Sequence, residues 1–342
     1  MATIRDIAKQ TGYSISTISR VLKGDTDFAV SEETKKAIIQ CANVMEYVYK
    51  PRSTKNAEKK DLKQYRVGII PIGMEELERG ELQDPYYLYI RNGVESRLDK
   101  LNMNNAGIIN MNTYEDYQKL SGLDSVIIIG KRKIDVENPY FKKLKQVIFV
   151  DYEMENYDSV VSDFVNAVVR AIDYMQECGC KTIGYIGSWD YVNDFKNKVM
   201  LRRKDSRQRA FETYAKSKKI DYQNHLYIGE KFTRNEGYIL AYKAIRTGSL
   251  PDGFLIGSDP MAMGAYRAFF EAGRQVGHDV KIVSIDDIID ANFMTPPLTS
   301  VHIHAVEMGE IAVDCLRERI EGREVPVKVV LPVYITKRES CK

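Results

Sequence analysis

The 342-residue chain has little cysteine: Cys41, Cys178, Cys180, Cys315 and Cys341 are five in number, and their odd count and scatter exclude a disulfide-framework protein. It has no excess of either charge, since 50 Lys+Arg stand against 48 Asp+Glu, so any electrostatic preference for a partner must come from local clustering. No stretch approaches the roughly 18 consecutive apolar residues a membrane helix needs, and the first residues lack a basic-then-apolar leader pattern. The reading is therefore of a cytoplasmic protein with no membrane partner. Four histidines and the absence of a phosphate-cradling loop, nucleophile elbow or metalloprotease helix make catalysis a poor expectation. His302-x-His304 has no neighbouring Cys or Asp ligand, and Cys178-x-Cys180 lacks the zinc or thioredoxin spacing, so neither a metal nor a cofactor is expected.

What is present falls into three blocks. In residues 1–49 the apolar positions recur at helical spacing. Thr3 caps a first helix with Ile4, Ile7, Ala8 and Thr11 on one face, and Gly12 stops it. Ser14 caps a second helix, which turns Ile18, Val21 and Leu22 inward. Ser31 caps a third, with Ala37, Ile38, Cys41 and Ala42 as its buried side. Residues 50–64 lose the apolar pattern and carry the charge: from Lys50 to Lys63 six basic residues face two acidic ones, a net of +4, with Arg52 and Lys55 among them. From residue 65 to 342, short continuous apolar runs such as Arg66–Ile72, Ser125–Ile129, Gln146–Val150, Thr182–Ile186, Gly253–Ile256 and Lys281–Ile285 alternate with amphipathic segments. Strands apolar on both faces imply parallel, doubly wound α/β sheets, and the length implies two subdomains with a ligand cleft between them. The boundaries are placed at about 65–160 with 302–322 for the first, and about 161–301 with 323–342 for the second.

Turning Ile18, Val21 and Leu22 inward leaves Ile15, Ser16, Ser19, Arg20 and Lys23 on the opposite helical face. A helix entering a major groove needs small hydroxyls, an arginine able to grip guanine and an apolar group for a thymine methyl, and this face offers all three. A plain surface helix with solvated serines would need the caps, the turn and the basic linker all to be coincidence.

The run Thr-Ile-Arg-Asp-Ile-Ala followed by Ser-Thr-Ile-Ser-Arg-Val-Leu resembles the headpiece of the lactose/galactose repressor (LacI/GalR) family, and later motifs keep the family order. The resemblance implies a three-helix helix-turn-helix headpiece joined to a core like the type I periplasmic binding proteins. It implies a homodimeric repressor of a sugar-utilisation operon that binds double-stranded, pseudo-palindromic operator DNA under the control of a small sugar. By the same match Ile15 and Ser16 read base edges, Ser19 and Arg20 support them, and Thr3, Ser14, Thr17, Ser31 and Thr34 meet phosphates. The hinge departs from the family pattern: Tyr49-Lys50-Pro51-Arg52 keeps the proline, but no leucine follows to wedge the minor groove, so binding leans on charge and falls faster with salt.

In the core, Asp84-Pro85-Tyr86-Tyr87 resembles the family's loop-to-helix element with an aromatic pair facing the cleft, and Asp151 ends a strand where sheet ligands bind. Arg207 matches the arginine that grips sugar hydroxyls or a carboxylate, Phe232 the aromatic against the bound ring, with Trp189 a second candidate wall. Ser258 stands for the usual ligand-facing Asn in Ser-Asp-Pro-Met-Ala-Met-Gly, and Asp286 for the strand-end acid that accepts hydroxyl hydrogens. The likeness is greatest to regulators of galactose, α-galactoside or β-galactoside genes in Gram-positive bacteria. Two other classes stay open on the residues alone: a cytosolic sugar-binding protein without gene-regulatory work, and a sugar-processing enzyme.

Overall fold

The computed structural model describes residues 3–23, 28, 30–45, 47, 61–71, 85–194, 196–197 and 199–342. The chain divides into two units, 1–59 and 60–342. Arg52 and Lys55 of the basic linker, Asp84, and the side chain of Lys23 lie outside the described residues.

The first unit is a three-helix bundle: α1 (Ile4–Thr11), α2 (Ile15–Lys23) and α3 (Glu32–Val44). Each start follows from a hydroxyl. Thr3 forms a reciprocal capping box with Asp6, and the side chains of Ser14 and Ser31 accept from the N–H groups of Thr17 (3.1 Å) and Thr34 (3.2 Å). Gly12 ends α1 at φ +74°, a left-handed conformation that costs glycine little. Ile7, Ile18, Ile38 and Ala42 form the buried centre, with Ile4, Ala8, Val21, Leu22 and Cys41 packed around it. Ala37, expected inside, is exposed, because the buried stripe of α3 runs through Ile38 and Ala42 instead.

The second unit holds two six-stranded sheets. The first contains β1 (Arg66–Ile70), β2 (Asn104–Ile108), β3 (Ser125–Ile129), β5 (Gln146–Val150), β6 (Asp158–Ser162) and β14 (Lys328–Leu331), ordered β14-β6-β5-β3-β1-β2 and parallel throughout. The second contains β7 (Ile183–Ser188), β10 (Leu226–Gly229), β11 (Gly253–Ile256), β12 (Lys281–Asp286), β13 (Thr299–His302) and β15 (Tyr334–Thr336), ordered β10-β7-β11-β12-β13-β15, with β15 antiparallel to its neighbour. Both are otherwise the doubly wound parallel sheets that the apolar runs imply. A small third sheet joins β4 (Arg132–Lys133), β8 (Asp190–Asp194) and β9 (Val199–Arg203).

The helices of the second unit are α4 (Tyr86–Lys100), α5 (Phe164–Glu177), α6 (Ser206–Ser217), α7 (Arg234–Arg246), α8 (Asp259–Glu271) and α9 (Ala305–Glu321). One boundary moves. The segment from 323, expected in the second subdomain, first returns to the first sheet, where β14 pairs with β6. The cause is Asp158: its buried carboxylate takes Arg323 at 2.9 and 3.0 Å and the Val327 N–H at 2.6 Å, fastening the chain beside β6 before β15 crosses over.

The two subdomains repeat one packing device. Where α4 meets α9, a Cβ on Gly93 would lie 2.0 Å from the Val306 carbonyl oxygen, and one on Gly309 would lie 2.1 Å from that of Ile90. Where α7 meets α8, a Cβ on Gly237 would lie 2.0 Å from the Met261 carbonyl oxygen and one on Gly264 would lie 1.8 Å from that of Arg234. Backbone meets backbone at both crossings, and no side chain fits. Gly93→Ala is therefore expected to lower stability by about 1–3 kcal/mol through overpacking, read as a lower urea midpoint at unchanged m-value; an unshifted midpoint would mean that the helices part freely.

Candidate functional site

Two places bring chemistry-bearing residues together, one in each unit. On α2, Ile15 is 43% exposed although apolar, and Ser14, Ser16 and Arg20 are exposed beside it. Ile18, three residues on from Ile15, is wholly buried, which fixes the helix's rotation and presents this face outward. The hydroxyls form a chain, Ser14 to Ser16 at 2.7 Å and Ser14 to Thr17 at 2.9 Å, at the end of α2 where unpaired N–H groups favour an anion. Ser19 is half-buried, and the Arg20 guanidinium lies 4.9 Å from the Phe28 ring centre. Thr3 is exposed at the start of α1, while Ser31 and Thr34, joined at 2.9 Å, sit at the start of α3 with Tyr13 3.4 Å from Thr34. Thr3, Ser14 and Ser31 each stand at a helix start, where a hydroxyl both caps and can meet a phosphate.

In the second unit the carboxyl ends of the two sheets carry a buried network of charges. Asp151 follows β5 with φ +58°, a backbone turn that aims its carboxylate at α4. There Tyr86 donates to one oxygen at 3.2 Å and Tyr87 to the other at 3.0 Å. Burial raises the Asp151 carboxyl above its usual value, while Lys131 and Tyr87 pull it down. Burial and then the neighbouring Asp151 push the Tyr86 hydroxyl well above its ordinary value, so it stays a donor. Lys131, just past the end of β3, lies 3.1 Å from Asp190 and 3.9 Å from Asp205. Its burial alone would favour the neutral amine, but Asp151, Asp205 and Asp190 outweigh that and keep it charged.

Asp205 caps α6 and, two residues on, holds Arg207 through Nε at 2.8 Å and a terminal nitrogen at 3.2 Å; the other terminal nitrogen donates to the Gly257 carbonyl at 2.8 Å. Burial works against the Asp205 charge, but Arg207 and Lys131 overcome it and hold the carboxyl well below the carboxylate range. The Arg207 guanidinium lies over two rings, 4.0 Å from the centre of Phe232 and 4.9 Å from that of Phe164. Three of its five N–H donors are engaged among the described residues. Asp286 ends β12 at φ +122°, buried, and acts electrostatically on both Tyr86 and Arg207.

Tyr86, Tyr87, Asp151, Arg207, Phe232 and Asp286 are thus gathered from separate elements, as their positions at strand and helix ends allow. Phe232, expected against a ligand ring, has its face on Arg207. Ser258, expected to face the ligand, is buried and caps α8, accepting from Met261 N at 3.5 Å. Trp189 is covered by Arg202, 4.2 Å above its ring, on the β8–β9 side. Lys131, Phe164, Asp190 and Asp205 escaped the sequence reading; the signal at hand was the rule that picked Asp151 and Asp286, since Lys131 and Asp190 also follow strand ends.

The subdomains are tied across this network by the third sheet. β4 belongs to the first subdomain and pairs in parallel with β8 of the second, Arg132 opposite Asn193 and Lys133 opposite Asp194. Lys133 reaches the buried Asp194 at 2.8 Å, and Lys196 reaches Asp135 at 3.3 Å. Arg203 holds Asp190 at 2.7 Å on the same hairpin.

Comparison with known proteins bears on both units. Residues 3–50 match the bacterial regulatory proteins of the lacI family, and residues 172–341 match the periplasmic binding protein-like domain. The chain is 34% identical over 345 residues to the HTH-type transcriptional repressor MelR of Bacillus subtilis, across all of this chain and 98% of the relative. It is also 34% identical over 346 residues to the HTH-type transcriptional regulator GalR of Streptococcus thermophilus, across the whole of both chains. Among solved structures, the Lac repressor dimer bound to operator and the anti-inducer ONPF superposes with a TM-score of 0.67 at 20% identity, covering 99% of this chain and 98% of that one. The transcriptional regulator CelR in complex with cellobiose gives 0.66 at 22% identity, covering 99% and 100%.

Replacing Asp205 by Asn leaves Arg207 buried without its counter-charge, a change that costs about 3–5 kcal/mol. Because the native carboxyl titrates below the unfolded one, its contribution is full above the ordinary carboxylate pKa and is lost only as pH falls through the depressed native value. Denaturant melts should show the deficit at neutral pH and a narrowed gap between variant and parent in strong acid; a gap independent of pH would contradict the pairing.

Proposed function

Since the chain belongs to the lacI family of bacterial regulatory proteins, we propose that it represses a sugar-utilisation operon, its three-helix unit reading operator DNA and its cleft taking a galactose-type sugar that relieves the grip. The observation that carries this reading is the outward face of α2, where Ile15 is exposed against the packing rule and stands among Ser14, Ser16 and Arg20 at a capped helix start. An apolar side chain there suits a thymine methyl, the arginine suits guanine O6 and N7, and the hydroxyls at three helix starts suit phosphates. One such unit contacts little DNA, so the working species is a homodimer on a pseudo-palindrome, acting in the cytoplasm. The cleft supports a polyol ligand, because Asp151 and Asp286 accept hydroxyl hydrogens, Arg207 donates, and the tyrosines offer ring faces and hydroxyls.

Coupling runs through the closure of the two subdomains. Lys131 and Asp151 come from the first sheet and Asp190, Asp205 and Arg207 from the second, so a sugar that takes up these groups changes how strongly the halves hold each other. The basic stretch 50–64 carries that change to the DNA-binding unit.

Gel shifts on the upstream region of a galactoside operon are expected to show one pseudo-palindromic site, with Arg20→Ala weakening binding about 5- to 150-fold, the equivalent of ~1–3 kcal/mol. Affinity should fall steeply with salt. Galactose, an α-galactoside and a β-galactoside form the test panel; the true effector at 100 times its Kd adds about 2.7 kcal/mol to stability and releases the DNA. Binding to any duplex alike, with or without these sugars, would sink the proposal.

The hairpin strap makes a second expectation. Lys133→Glu sets a like charge against Asp194 at an exposed position, so sugar Kd is expected to rise roughly two- to fivefold. DNA affinity without sugar should stay near that of the parent. Sugar binding that ignores the substitution would show that β4 and β8 take no part in closure.

A further inference from the structure

Three of the five cysteines, none of them used above, meet in the second subdomain. Cys178 and Cys180 flank Gly179 in the turn between α5 and β7, and Cys341 is brought to them by a fastened tail. Ser340 accepts from Thr299 N at 2.8 Å through its hydroxyl and donates to the Ile282 carbonyl at 2.6 Å. Ile282 N in turn donates to the Ser340 carbonyl at 2.9 Å, and the Tyr174 hydroxyl donates to the Cys341 carbonyl at 2.9 Å. These bonds bring the wholly buried Cys341 into the same packed cluster as Cys180, with Cys178 against it. Cys180 is buried and Cys178 half-buried, so an oxidant dissolved in water meets Cys178 first. Among the described residues no group of three His, Cys, Asp or Glu is set to hold a metal ion, which leaves redox chemistry as what three adjacent thiols can do.

We propose that Cys178 and Cys341 form a reversible disulfide, with a peroxide as oxidant and a small thiol as reductant. The Cys178 sulfur attacks one peroxide oxygen, the O–O bond breaks, and the products are a sulfenic acid and water. The Cys341 sulfur then attacks the sulfenic sulfur, forming the S–S bond and expelling hydroxide, which leaves as water with the Cys341 proton. In sum two thiols and one peroxide give a disulfide and two waters. Cys180 relays that proton. A hydrogen bond from Cys341 and the nearby Lys281 ammonium hold the Cys180 thiol below its ordinary value despite burial, so its sulfur accepts while the Cys341 thiol, raised, donates. Lys281 is fixed in place by donating to the Cys178 carbonyl.

The test treats the full-length reduced protein with hydrogen peroxide, blocks free thiols and maps peptides without reduction. Expected are an intact-mass loss of about two units, a linked peptide whose fragment ions assign the bond to Cys178 rather than Cys180, and full reversal by dithiothreitol. Cys341→Ser should stop the linkage and leave a sulfenic acid on Cys178 that dimedone captures; Cys180→Ser should give the same bond several-fold more slowly. The parent map needs no variant to fold, so it decides alone. A bond to Cys180, oxidation confined to Cys41, or Cys178 carried to sulfinic acid without any linkage would overturn the proposal.

Discussion

The arrangement of the core rests on the mutual need of five buried charges. Lys131, Asp151, Asp190, Asp205 and Arg207 lie where water does not solvate them freely, and a lone ion there would cost several kcal/mol. Each is tolerated only because the others are in reach. Two come from the first subdomain and three from the second, so the condition that every charge be paired is also a condition on how the two halves face each other. On the reading proposed above, a ligand bearing hydroxyls that substitutes for some of these pairings gains leverage over how the halves close.

The surrounding elements supply the rigidity this network needs. Asp151 and Asp286 take positive φ at strand ends, conformations that are unfavourable for a side chain with a Cβ and persist only because flanking strands hold them. Arg207 is held by four groups: hydrogen bonds to Asp205 and the Gly257 carbonyl, and contacts with the Phe164 and Phe232 rings. A guanidinium held in this way presents its remaining donors without further loss of rotamer entropy. The glycine-mediated crossings of α4 with α9 and of α7 with α8 do the same on a larger scale, since helices in backbone contact cannot slide to absorb a movement at the cleft.

Much of this was legible in the chain and part was not, for reasons that are physical. Continuous apolar runs found strands such as Ser125–Ile129, whose every residue is buried, because both faces of a parallel sheet must be covered. The capping hydroxyls Thr3, Ser14 and Ser31 marked helix starts because unpaired N–H groups demand acceptors. Asp151 and Asp286 followed from strand-end logic. Partners such as Asp190 and Lys131 did not, since an ion pair between residues 59 apart leaves no trace in spacing. The β8–β9 hairpin was likewise silent: β9 is exposed along its whole length, so it carries none of the alternation that betrays a half-buried strand. The return of β14 to the first sheet depended on Asp158 meeting Arg323, again a contact that only the fold creates.

The hairpin shows how a ligand-linked equilibrium can be set by modest forces. A two-residue parallel pairing and the Lys133–Asp194 and Lys196–Asp135 contacts are individually weak, because each lysine is more than half exposed. The carboxylates are nearly buried, but Asp194 also accepts from Asn197 and Asp135 from Tyr114, so neither is left unpaired when its lysine leaves and the strap opens at modest cost. On the proposed reading a small sugar tips this closure, since a ligand shifts two states only by its differential affinity for them. The described strap and ion pairs that cross between the halves are polar, so on the proposed reading a ligand gains leverage by taking over their hydrogen bonds.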